Sequence, residues 1–121
     1  MQYMLLIYEN EQNWTKLSQA EAGAIMGEYG TFTQDIAKSG HYKAGAPLQP
    51  TKTATTVRVR DGKRQTTDGP FAETREHLGG YYLVDAKDLD EAISIAERIP
   101  AARTGSIEVR PIMPLPPNMQ S

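Results

Sequence analysis

Met4-Leu5-Leu6-Ile7-Tyr8 is a short apolar run closed by Glu9-Asn10-Glu11, and a run of that length between polar residues predicts a buried strand. Alternation puts Met4, Leu6 and Tyr8 on one face and Tyr3, Leu5 and Ile7 on the other. A strand apolar on both faces needs cover on both sides of its sheet. Ser18-Gln19-Ala20-Glu21 then spells a capping box, in which the serine oxygen takes a first-turn amide and the glutamate reaches back. Ala22, Ile25, Met26, Tyr29, Phe32 and Ile36 recur at helical spacing behind it. Gly40 supplies the stop, so the pattern predicts a helix over 19–38.

Further on, 42–46 reads as a short strand halted by Pro47, and 54–60 alternates with Val57 and Val59 on one side. Asp61-Gly62 is a hairpin turn signal, and 64–67 returns as an almost wholly polar partner strand that stands proud of the core. Tyr81 to Val84 is the next strand, with its two tyrosines on opposite faces. Asp88 caps a second helix whose inner face is Leu89, Ala92, Ile93, Ala96 and Ile99, stopped by Pro100. Ile107, Val109 and Ile112 alternate in a last strand, and a proline-rich extended tail occupies 114–121. Setting the hairpin aside, the order is βαββαβ, an α+β ferredoxin-like domain over 1–113. Both helices cover one face of such a sheet. The doubly apolar first strand implies that a second copy covers the other, giving a homodimer.

Composition narrows the chemistry. With 121 residues and a formal net charge of -2, the chain is sized for one domain and gives no electrostatic case for nucleic acid or an anionic membrane. The absence of cysteine excludes disulfides, thiolate catalysis and cysteine-ligated zinc. The apolar runs are too short for a membrane helix or a signal peptide, so the expected location is cytoplasmic. No spacing matches a dedicated metal or cofactor site, and none is expected.

Several segments carry a family likeness: Met4 to Tyr8, Ala54 to Arg58, Asp68-Gly69-Pro70-Phe71-Ala72-Glu73-Thr74-Arg75-Glu76, Gly79-Gly80-Tyr81-Tyr82 and Ile107 to Pro111. Together they resemble the DGPF-motif branch of the YCII-related proteins. The resemblance spans roughly 1–113 and rests most on the stretch from Asp68 to Glu76. It implies a dimeric ferredoxin-like α+β barrel. On activity it implies less: most such proteins have no assigned role, and genes of this branch often neighbour those of extracytoplasmic-function sigma factors. Some YCII-type relatives carry a His/Asp pair whose histidine comes from the first helix, and at least one acts on a chlorinated aromatic. Here 19–38 contains no histidine, which sets this chain apart from them.

The stretch 67–80 is the obvious candidate for chemistry. The favoured reading is structural. Gly69-Pro70 turns the chain, Asp68 accepts amides in an Asx turn, Phe71 anchors the loop in the core, and Gly79-Gly80 admits a close neighbour. The functional reading gathers Asp68, Glu73, Glu76 and His77 as catalytic candidates in one cleft. A helical 70–76 would place Glu73 and Glu76 on one face at i,i+3, able to act as acid and base. Tyr8 and Tyr82, with Arg110 at the rim, would suit a small aromatic or anionic ligand, although aromatics at sheet spacing more often simply pack. Arg58, Arg60, Lys63 and Arg64 make the hairpin a solvated basic edge. The leading expectation is a dimeric small-molecule-binding or accessory protein. A cofactor-free lyase, hydrolase or oxygenase, and a module that docks a protein partner through the hairpin, are the alternatives.

Overall fold

The computed structural model describes residues 1–119. Its principal sheet has four strands: β1 (Gln2–Glu9), β2 (Tyr42–Pro47), β5 (His77–Asp85) and β6 (Ser106–Pro111), in the order β2-β5-β1-β6. Every neighbouring pair is antiparallel. This is the βαββαβ arrangement the pattern predicts, with α2 (Gln19–Lys38) and α3 (Leu89–Ala96) as its two helices. Strands β3 (Thr55–Arg60) and β4 (Lys63–Asp68) pair only with each other and form the inserted hairpin. A four-residue helix, α1 (Gln12–Thr15), follows β1 and was not legible in the pattern. The tail expected over 114–121 extends to residues outside the described ones; within it, 117–119 make one 3-10 turn.

Local chemistry explains the boundaries. The Ser18 oxygen accepts from the Glu21 amide at 3.1 Å and the Glu21 carboxylate accepts from the Ser18 amide at 3.0 Å, closing the capping box. At α3 the Asp88 oxygen accepts from the Glu91 amide at 2.9 Å, but Glu91 reaches one residue further back, to the Lys87 amide at 3.0 Å. Asp61 and Gly62 both take positive φ, 52° and 73°, the geometry of the two-residue turn that matches strand twist. Strand β5 begins four residues earlier than the tyrosines indicated because Leu78 and His77 pair with Tyr8 and Glu9 of β1, and Gly80 lies close against β2. A Cβ there would stand 3.0 Å from the Ala46 carbonyl oxygen.

The core lies between the sheet and the helices. Tyr3, Leu5 and Ile7 meet Phe32, Ile36, Ile95 and Ile99, all buried. Tyr82 joins them, edge-on to Phe32 with centroids 5.1 Å apart, and its hydroxyl lies 2.8 Å from the Thr33 hydroxyl. On the opposite face Met4, Leu6 and Tyr8 of β1 stand beside Tyr81 and Leu83 of β5; all five are half-buried, and among the described residues no helix packs on this face as α2 and α3 do on the other. The hairpin is barer than that face: Val57 and Val59 are 59% and 61% exposed. The total accessible surface is 8726 Å², roughly a third above the 6,500 Å² or so of a compact monomer of this mass. No helix among the described residues is long and apolar enough to cross a membrane.

Candidate functional site

One end of the sheet concentrates polar side chains around a cavity. The alternation that buries Tyr3, Leu5 and Ile7 carries Glu9, the last residue of β1, to the helix side. Its partner across the ladder is His77. The turn 100–103 begins with Pro100, buried at the N-terminus of a 3-10 helix, and Gly105 lies directly against β1. A Cβ on Gly105 would collide with the Tyr8 carbonyl oxygen and stand 2.9 Å from Glu9 Cγ. Glycine is what allows this turn to sit on the strand. From it the Thr104 hydroxyl donates to Glu9 Oε2 at 3.2 Å, and Arg103 Nη2 reaches Glu28 Oε2 on α2 at 2.6 Å.

Between this turn, α1 and α2 lies a cavity of about 70 Å³ walled mainly by Trp14, Leu17, Ile25, Tyr29 and Pro100, with Glu9 at its edge. Burial pushes the Tyr29 phenol up to about 12, and the Glu9 carboxylate adds to the shift. The Ala101 backbone and the Arg103 cation oppose it, while Tyr82 adds a smaller push upward. The phenol therefore stays protonated across the physiological range and faces a negative neighbour. At the same end of the sheet, outside the cavity lining, the Ser106 hydroxyl donates to Glu76 Oε1 at 2.9 Å. The arrangement can hold a small ligand between a carboxylate, a phenol and apolar walls.

The candidates named from sequence divide between this end and elsewhere. His77 and Glu76 belong to it. Asp68 closes β4 on the hairpin, and Glu73 lies in the irregular stretch that follows; both are exposed and neither makes a side-chain hydrogen bond among the described residues. The stretch from Gly69 to Glu76 is not helical, so Glu73 and Glu76 share no helix face. Its turn is instead held by Gly69, at φ 95°, whose amide donates to the Ala54 carbonyl at 2.7 Å and whose carbonyl accepts from the Thr56 hydroxyl at 2.9 Å. The Asx turn at Asp68 does not form. Phe71 is 80% exposed rather than anchored in the core. An aromatic on a loop that leaves the sheet has no layer of its own chain to enter.

Tyr8 and Tyr82 do not wall a common pocket, because strand parity sends Tyr8 to the open face and Tyr82 beneath the helices. Arg110 stays with Tyr8. Its Nε pairs with Glu108 Oε2 at 3.2 Å, and the Tyr8 hydroxyl donates to Glu108 Oε1 at 3.4 Å. His41 is held at the far end of the sheet by Ser39 at 2.6 Å and Glu91 at 3.1 Å, a structural tie between α2 and α3. Among the described residues no three His, Asp or Glu side chains come together as metal ligands.

Glu9, Trp14, Tyr29 and Gly105 were not singled out from sequence as a site. Tyr29 read as one more member of the helix stripe, and Glu9 as punctuation after a strand. Only the adjacency of residues nearly a hundred positions apart distinguishes them.

The model of the YCII-related domain matches residues 1–116. The chain belongs to the YCII-related family. This YCII-related chain is also 38% identical over 114 residues to an uncharacterised protein of Rhizobium meliloti (strain 1021), a match covering 93% of this chain and 92% of the relative.

Proposed function

We propose that this YCII-related protein is a small-molecule-binding protein that works as a symmetric homodimer, with one site per subunit at the Glu9 end of the sheet. The observation that carries this reading is the uncovered apolar face formed by Met4, Leu6, Tyr8, Tyr81 and Leu83. A face of this kind on a helix-backed sheet is best covered by its own copy, since the same apolar stripe is then complementary to itself. The excess surface is of the size that obligate dimers bury. An isolated two-stranded hairpin is marginal in water, so the bare valines of β3 add a second demand for a partner. The segment Asp68-Gly69-Pro70-Phe71 supports membership of the DGPF-motif branch, and with it an accessory role linked to a sigma factor in the cytoplasm.

A second reading is favoured by the position of His77 opposite Glu9, with Glu76 nearby. Cofactor-free acid–base catalysis would run through these three groups, without Asp68 and Glu73.

The dimer reading is tested by Leu83→Glu, which sets a carboxylate at the centre of the face. Size-exclusion chromatography should show this variant at half the wild-type mass. Met113→Glu, at a residue that is 79% exposed in the chain beyond β6, should keep the wild-type mass. Equal masses for wild type and Leu83→Glu would refute the assignment of the face.

A further inference from the structure

The cavity beside Tyr29 has a definite chemical character. One water needs roughly 10–15 Å³ of such space, so about 70 Å³ admits a ligand of a few heavy atoms. Trp14, Leu17, Ile25 and Pro100 make its walls mostly apolar, and proline offers no amide donor. The charges at its edge are unequal. Arg103 is already neutralised by Glu28 at 2.6 Å. Glu9 accepts one hydroxyl, from Thr104, and pairs with no cation among the described residues. A partly buried carboxylate against apolar walls is costly until a countercharge meets it.

We propose that this cavity binds a small organic ammonium ion. Its nitrogen is held by the Glu9 carboxylate, with the Tyr29 phenolic oxygen as a second acceptor. Its short alkyl group lies against Leu17 and Ile25, and the Trp14 ring offers a π face to the cation. An anion of the same size meets the Glu9 charge with no free cation to offset it. A neutral alcohol fills the same space but leaves the carboxylate uncompensated. The proposal deepens the small-molecule reading above and rests on it.

Trp14 is the only tryptophan of the chain, so its fluorescence reports directly on the cavity. Wild-type dimer is titrated with propylammonium chloride, propanol and sodium propionate at matched ionic strength. Propylammonium should give a saturable change with a Kd in the millimolar range, as its few atoms allow. Propanol should bind at least about tenfold more weakly, the loss of one charge-assisted hydrogen bond, and propionate not at all. Glu9→Gln should weaken propylammonium by a similar factor with an unchanged circular dichroism spectrum. If that variant does not fold, the comparison of the three compounds on wild type decides alone. Propanol or propionate binding as tightly as propylammonium would overturn the ligand class while leaving a small-molecule site in place. A flat response to all three would overturn it as well. Loss of the dimer in sedimentation would instead strike the reading beneath it.

Discussion

Replacing Gly105 by alanine adds one methyl group at the tightest point of the molecule. That methyl would overlap the Tyr8 carbonyl oxygen, stand 2.9 Å from Glu9 Cγ and 3.2 Å from Glu9 Cα. The Glu9 side chain could swing away, but the backbone atoms cannot yield alone. Tyr8 pairs with Ser106 in the β1–β6 ladder, and the Gly105 amide donates to the Ala101 carbonyl at 2.7 Å. Relief therefore requires the whole turn to lift or the ladder to shorten. Overpacking of this kind costs about 2–3 kcal/mol, a fall in Tm of roughly 10 °C for a chain of this length. Gly23→Ala supplies the contrast. A Cβ there meets nothing within 4 Å on the exposed side of α2, so the same chemical change should stabilise by about 0.5–1 kcal/mol. Urea unfolding followed by circular dichroism measures both. A loss below about 0.5 kcal/mol for Gly105→Ala, within the range of a neutral surface change, would refute the packing of the turn on β1.

Tyr29 sets the alkaline limit. Its folded pKa of about 12 exceeds the ordinary 10.0, so its contribution is full below pH 10 and lost as pH rises towards 12. Tyr29→Phe should flatten stability across that window, and an unchanged slope would count against the buried phenol. Glu91 acts on the acid side. The Lys87 amide first, then the hydrogen bond from His41, holds its carboxyl below the ordinary 4.5, so its contribution is present above that pH and lost as pH falls below it. Glu91→Gln should give a shallower fall in Tm on acidification than wild type; a parallel fall would remove Glu91 from the account. Thr33→Val deletes the partner of the Tyr82 hydroxyl, 2.8 Å away, and should cost about 1 kcal/mol in urea unfolding.

Much of the fold was legible because its signals are local. Ser18 and Glu21 announce α2 within four residues, Asp61-Gly62 announces the hairpin, and the period of Met4 to Tyr8 announces an internal strand. The open face was legible for the same reason, since two apolar sides on one strand need no knowledge of its neighbours. The site was less so. Glu73 and Glu76 invited a helix through their spacing, but Gly69 at positive φ and Pro70 direct the segment into an irregular turn. Phe71 invited burial through its hydrophobicity, which says nothing about which layer is available to receive it. Parity across one β-ladder separated Tyr8 from Tyr82: Tyr82 pairs with Leu5 on the helix side, three residues before Tyr8, and that pairing could not be read from either strand alone. Glu9 and Thr104 meet only because the chain folds, so no motif joins them.

Sedimentation equilibrium of the wild-type chain at micromolar concentration tests the central claim, the proposed dimer, most directly. A particle of twice 13.4 kDa is the predicted result. A folded species at 13.4 kDa, with Met4, Leu6, Tyr8, Tyr81 and Leu83 left in water, would contradict it.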